Sequence, residues 1–320
     1  NEIDPAPDFS ERHLACFFSV PTYHESGMCG DDAVYYISMG DDYMYGGGNN
    51  RYTTFCMANW TGVSSEEDYP GEGAWDGDRS LPDSRALDDR VHLENAAWIS
   101  MTDTAFIKQE IMRLGSVSSA YYYKKGAYYN SETHAYYNDR FTATNHAITI
   151  VGWDDNYSAD NFLSAPGRDG AWLVKNSWGT SFGEEGFLWI SYDDMAMSSA
   201  SNTAYAFEFG RADNYENTYF YDGSCGTRTY SVENGGSFAN VFTTGQNDGC
   251  RDELIGAVGA AFSESGISYK IQVYTDLRDP GDPTSGEPAG EAITGATQTA
   301  GYQTFVLDDP VRAVCGTYFS

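Results

Sequence analysis

Two short segments hold residue types that could work together: Asn145-His146-Ala147 and Lys175-Asn176-Ser177-Trp178-Gly179. A thiol attacks an amide efficiently only as its thiolate, so a cysteine nucleophile needs an imidazole nearby to take and hold its proton. The imidazole in turn has to be aimed. A neutral side-chain amide does this, because it fixes the ring through one hydrogen bond without competing for the proton. His146 and Asn176 supply those two groups, and the indole of Trp178 would keep water from the bond between them. The chemistry predicted is acyl transfer, by attack of a thiol on an amide carbonyl.

For the two side chains to meet, the strands that carry them must be neighbours. His146 heads the apolar run 147–151, and Asn176 closely follows the apolar run 171–174. Residues 116–123, 147–153, 171–175 and 186–192 read as strands separated by turns. Ahead of them, 103–114 reads as an amphipathic helix capped by Thr102 or Asp103. Ile107, Ile111 and Leu114 form its apolar face and Gly115 stops it. Up to about residue 100 the chain reads as short helical and irregular segments, with 31–39 and 51–60 as short helices or turns. A glycine-rich loop at 46–50 lies between those two, and a long polar loop spans 71–89. A helical first part and a β-rich second predict an α+β domain of two lobes with a cleft between them. From about residue 213 the texture changes to short alternating segments at 219–221, 238–243, 267–275 and 304–307. Gly, Asp and Pro turns separate them, which predicts an all-β sandwich or jelly roll. The expected domains are 1–211 and 212–320.

Taken together, these segments resemble a known family. GAWLVKNSWGTSFGEEGFLWISY (170–192) is similar to the region around the active-site asparagine of papain-like cysteine peptidases, and NHAITIVGWD (145–154) resembles their histidine segment. FSERHL (9–14) looks like the segment that follows the family's nucleophile helix. YGGGNN (45–50) sits where the family has a glycine-rich substrate-binding loop, and Gly62-Val63 and Asp68-Tyr69-Pro70 keep its downstream spacing. The resemblance covers about residues 9–208. It implies a two-lobed papain-like domain acting on a peptide or protein substrate, in which His146 is general base and acid, Asn176 orients it and Trp178 shields the pair. It also implies that Gly48 and Asn49 offer backbone groups to an extended substrate, as an added strand would find them. Asn145, Ala147 and Ala120 are further substrate-side candidates, the two alanines in the wall of the selecting pocket. YKIQVYTDLRDPGDPTSG (269–286) and AGYQTFVLDDPV (300–311) resemble the lectin-like domain appended to some bacterial secreted or surface papain-like peptidases. That likeness implies an extracellular or cell-surface protein and makes a glycan a second candidate partner.

One part of the family pattern is missing. Its nucleophilic Cys begins a helix, in a Cys-Trp-Ala-Phe-like run, after a Gln that helps to form the oxyanion hole. Both precede the segment matched by FSERHL, whereas here only residues 1–8 precede it and no Cys-Trp occurs in the chain. Cys29, in Ser26-Gly27-Met28-Cys29-Gly30, follows that segment instead. The chain also stops at Tyr318-Phe319-Ser320, in what reads as a strand. The expectation is a chain cut at both ends, with the thiol on an upstream segment or a separate N-terminal fragment, and no activity for this segment alone. The rival from another class is a non-catalytic pseudopeptidase used for surface adhesion or glycan binding. Retention of His146, Asn176 and Trp178 together argues against it.

Composition narrows the remaining choices. The chain of 320 residues has 18 Lys and Arg against 47 Asp and Glu, a net charge of −29. Such a surface repels phosphate backbones, so a nucleic-acid partner is not expected. No apolar run is long enough to span a membrane, and no signal peptide is visible at the start. No cofactor is expected. None of the six cysteines forms a CxxC pair, which argues against a metal or redox site. If extracellular disulfides form, Cys225 with Cys250 is the first pair to test. Asp154, Asn156, Ser158 and Asp160 alternate as in a calcium loop, but Ala159 stands where such a loop needs Gly and no Glu closes it. That segment reads as a solvated acidic loop.

Overall fold

The computed structural model describes residues 8–19, 22–23, 29–30, 47–71, 81–223, 231, 235–245 and 250–320. The expected helix or turn at 31–39 and Cys225 lie outside the described residues. The chain forms two compact units, one from Asn1–Asn95 with Phe209–Ser320 and one from Ala96–Glu208.

The first unit opens with α1 (Glu11–Ser19), the short antiparallel pair β1 (Thr22–Tyr23) and β2 (Cys29–Gly30), and α2 (Asn50–Ala58). Asn49 starts α2: its side-chain oxygen accepts the Tyr52 N–H at 3.0 Å, satisfying one of the donors that a helix start leaves open. A ten-residue strand, β3 (Val91–Ser100), follows where the sequence predicts irregular structure. Its Val91, Leu93, Ala96 and Ile99 are buried. His92, Glu94 and Asn95 break the apolar alternation by which a strand is recognised.

The second unit holds the predicted helix as α3 (Thr104–Leu114). Asp103, not Thr102, is its cap, with Oδ1 accepting the Phe106 N–H at 3.1 Å. Gly115, at φ +91°, ends the helix in the left-handed region that glycine adopts without steric cost. The strands are β4 (Val117–Tyr121), β5 (Tyr129–Asn130), β6 (Ala135–Tyr136), β7 (His146–Asp154), β8 (Ala171–Lys175), β9 (Phe187–Ser191) and β10 (Thr203–Arg211). They lie side by side in the order β10-β4-β7-β8-β9-β6-β5. The apolar face of α3, through Ile107 and Ile111, joins Val117, Tyr121, Ile148, Ile150, Trp172 and Val174 in one buried core. That core is what holds β4, β7 and β8 in register.

The rest of the first unit is all-β: β11 (Phe242–Thr243), β12 (Glu253–Phe262), β13 (Ser268–Thr275), β14 (Glu287–Ala296), β15 (Ala300–Ala313) and β16 (Tyr318–Phe319). β12 pairs with β15, β13 with β14 and β11 with β16, all antiparallel. Val273, Leu307 and Val311 form a core with Ile255, Val258, Ala289 and Ile293. Two expectations are corrected here. Residues 219–221 are not a strand; their aromatic rings are anchors, Tyr219 donating to Glu253 at 2.8 Å and Tyr221 stacking on Phe242 at 4.8 Å. Cys250 pairs with Cys315, not Cys225, across Cα atoms 5.4 Å apart. Connectivity depends on which strands meet, and spacing alone does not specify it.

Candidate active site

The register of the second unit brings His146 and Asn176 together. β4 and β7 are antiparallel, with Tyr121 opposite His146 and Ala120 opposite Ala147. β7 and β8 are antiparallel too, with Thr149 opposite Lys175. Reversal of direction puts the start of β7 and the end of β8 at the same edge, so His146 and Asn176 emerge side by side. The Asn176 N–H donates to Gly186 O at 3.0 Å, which holds the backbone at the exit of β8.

The two side chains are joined by a hydrogen bond of 2.9 Å between His146 Nε2 and Asn176 Oδ1, the contact expected from the sequence. Its polarity follows from a second bond. Asn176 Oδ1 also receives the Ser177 backbone N–H at 2.8 Å. An N–H can point only at an acceptor, so that atom is the amide oxygen, and Nε2 must be the protonated nitrogen. In the neutral ring Nδ1 then carries the lone pair. An imidazole in this tautomer is ready to take a proton at Nδ1, while Nε2 keeps the ring aimed.

Trp178 covers this bond. Its indole stacks on the imidazole with centroids 4.7 Å apart and planes 21° from parallel. Tyr123 and Phe182 brace the indole edge-on at 4.5 and 4.8 Å. Asn176 is only 7% exposed, whereas Trp178 is 36% exposed, so the indole takes the solvent contact and the amide is spared it. Tyr121 meets the other side of the imidazole at 5.7 Å. Tyr121 does not stand out in the sequence, since a tyrosine in an apolar strand reads as a core residue. Its signal is the register that places it opposite His146.

The remaining candidates fall in different places. Ala120 and Ala147 face each other across the β4–β7 ladder, on the side opposite Tyr121 and His146, and Ala147 is exposed. The Asn145 side chain pairs with the backbone of Tyr123, accepting its N–H at 2.7 Å and donating to its carbonyl at 3.0 Å. Asn145 thus extends the ladder with its amide. Gly48 and Asn49 belong to the other unit. A Cβ at position 48 would come 2.9 Å from the tip of the Phe18 ring, so that ring would have to shift for any larger residue. Asn49 spends its side chain on the cap of α2.

Cys16, Cys56, Cys250 and Cys315 are unsuited to nucleophilic work. Cys56 is buried, and that burial pushes its thiol up to about 12. Cys16 is buried, with its sulfur accepting the Leu81 N–H at 3.3 Å. Cys250 and Cys315 are joined to each other. In the acidic loop, Asp154 Oδ1 accepts the Asn156 N–H at 2.8 Å and Asp169 Oδ1 accepts that of Ala159 at 2.8 Å. These carboxylates serve the loop's own backbone.

Residues 42–207 match the papain family cysteine protease and residues 218–320 match a lectin-like domain. The chain is 29% identical over 145 residues to cathepsin L of Sarcophaga peregrina, covering 40% of this chain and 34% of that protein. It is 28% identical over 164 residues to fruit bromelain of Ananas comosus, covering 50% and 41%. The chain therefore spans well under two thirds of these relatives' length. It is similar in structure to the clostridial cysteine protease Cwp84 after propeptide cleavage, with a TM-score of 0.72 at 24% identity over 98% of this chain and 72% of that one. The cysteine protease and lectin-like domains of Cwp84, a surface layer associated protein of Clostridium difficile, give 0.71 at 23%, over 98% and 64%. At such identities the likeness is one of fold. The family match spans more than half of the sequence, and the chain belongs to the papain family of cysteine proteases, with a lectin-like domain following its peptidase domain.

Proposed function

We propose that this chain carries the base and the orienting amide of a cysteine endopeptidase whose thiol comes from a segment N-terminal to it. The observation that carries the reading is the 2.9 Å bond from His146 Nε2 to Asn176 Oδ1, which leaves Nδ1 for a thiol. Trp178, stacked on that ring, has the shielding role. The upstream origin of the thiol is supported by the state of four of the six cysteines. Cys16 and Cys56 are buried in the other unit, and Cys250 and Cys315 are bonded together.

In the proposed reaction the thiol gives its proton to Nδ1 of His146, and the thiolate adds to the peptide carbonyl carbon. The imidazolium then returns the proton to the leaving amine as the C–N bond breaks, and an acyl-enzyme thioester remains. His146 next takes a proton from water, whose oxygen adds to the thioester carbon; the C–S bond breaks, the imidazolium returns that proton to the departing thiolate, and the carboxylic acid is released. Asn176 holds the ring in one orientation through both halves. On the substrate side, Gly48 and Asn49 would offer backbone groups, and the small Ala120–Ala147 pair would leave room for a side chain. Asn145 would support that region through its bonds to Tyr123.

The domain division at about 211 and 212, and an extracellular or cell-surface location, belong to the same proposal. The location draws on the surface association of Cwp84. Among the described residues no helix is long and apolar enough to cross a membrane. The test is peptide hydrolysis by the protein expressed with its upstream sequence, compared with this chain alone. Turnover by the longer form only, and only with His146 present, is expected. Equal turnover by this chain would overturn the upstream assignment.

A further inference from the structure

Two buried side-chain polar atoms of the second unit lack a hydrogen-bond partner among the described residues, the Tyr121 hydroxyl and Asn176 Nδ2. Both belong to the candidate site. Buried polar groups are nearly always paired, and leaving one unpaired is costly. These two are complementary, one an amide donor and the other a phenol whose oxygen can accept. They are also neighbours. Tyr121 stands opposite His146 across the β4–β7 ladder with its ring edge-on to the imidazole at 5.7 Å, and Asn176 is bonded to that same imidazole. Burial pushes the phenol's pKa up, and the Asn176 amide acts on it in the opposite sense. A donor that favours the phenolate is one directed toward the oxygen.

We propose that Tyr121 is a positioning residue for His146, acting through Asn176: its hydroxyl oxygen accepts from Asn176 Nδ2 as the site takes its working geometry. This rests on the assignment of His146 as general base. Ser177 N–H already holds the amide at Oδ1, and Tyr121 would hold it at Nδ2, so the amide plane is pinned from both ends. Donation at Nδ2 also polarises the amide and makes Oδ1 a stronger acceptor for Nε2–H. That favours the imidazolium, the form that accompanies a thiolate. Ring packing alone leaves the hydroxyl unexplained, because a phenylalanine would keep the edge-on contact with Tyr136 at 5.1 Å.

The experiment is Tyr121→Phe in the protein with its upstream sequence, made alone and in an Asn176→Ala background. Alone it should lower kcat about three- to tenfold, the worth of one neutral hydrogen bond, with KM within about twofold. The basic limb of the pH profile should move to lower pH, since the imidazolium is less favoured. In the Asn176→Ala background the same substitution should do nothing further. Equal losses in both backgrounds, or an unchanged kcat and basic limb, would overturn the proposal. A second readout separates this from failure of the peptidase reading. In this chain itself, NMR titration of His146 should give a lower pKa in Tyr121→Phe, whether or not peptides are cleaved. An unmoved His146 titration would count against Tyr121 even in an active enzyme.

Discussion

The imidazole of His146 lies nearly parallel to the indole of Trp178, with ring centroids 4.7 Å apart and planes inclined by 21°. In the proposed function this contact lets Trp178 stand between solvent and the His146–Asn176 hydrogen bond. A bond kept from water is worth more than the same bond in it. Trp178→Ala should therefore lower kcat of the upstream-extended protein by about tenfold, one neutral hydrogen bond's worth, with a smaller change in KM. Steady-state kinetics with a peptide substrate checks this, and a change confined to KM would assign Trp178 to substrate binding instead.

His146 and Asn176 should differ in how much each removal costs. His146→Ala deletes the proton acceptor, and a loss in kcat of at least about a thousandfold is expected for a general base. Asn176→Ala leaves the imidazole but frees its ring, so the loss should be smaller, about ten- to a hundredfold as for misplaced catalytic groups. Unfolding curves recorded alongside keep a folding defect from being read as a catalytic one. Equal losses for the two would mean that orientation is not what Asn176 supplies.

Cys250 and Cys315 close a loop with a sequence separation of 65. Cys315→Ser should destabilise the protein by about 2–5 kcal/mol, the usual range for a native disulfide, while Cys225→Ser should leave the Cys250–Cys315 bond in place. Peptide mapping under non-reducing conditions checks the pairing, and a Cys225–Cys250 linked peptide would contradict it.

Much of the site's frame is legible in the sequence. The apolar runs of β7, β8 and β9 and the capped periodicity of α3 mark those elements to within a residue or two. β3, β12 and β14 are harder, because their alternation is broken by His92, Glu94 and Asn95, by the small residues of Gly256 to Ala261, and by Pro288 and Gly290. His146 and Asn176 are readable as a pair because each closes or opens an apolar run within a known order of motifs. Tyr121 is not, since what it faces depends on how β4 slides against β7, a property of the packed sheet. The Cys250–Cys315 pairing is hidden for the same reason.

His13 makes the first unit sensitive to acid. It is fully buried on α1, with Nε2 2.8 Å from Arg85 O and its ring against Phe17 and Tyr69. Burial holds its pKa below the ordinary 6.5, although Asp88 and Asp89 push the other way. The folded state thus favours the neutral ring, while the unfolded chain takes up a proton near 6.5. Its contribution to stability is complete above that pH and is lost as the pH falls below it. Urea midpoints at about pH 7.5 and about pH 5.5, on either side of an unperturbed histidine, should fall more for the wild type than for His13→Gln. Equal falls would remove His13 from the account.

The most direct test of the central claim is labelling of the upstream-extended protein with a thiol-directed peptide inhibitor, followed by mass-spectrometric location of the adduct. The proposal that His146 serves a thiol outside this chain predicts one adduct, on a cysteine N-terminal to Asn1, formed rapidly with His146 present and lost in a folded His146→Ala variant. An adduct on Cys29, or labelling at the same rate without His146, would contradict it.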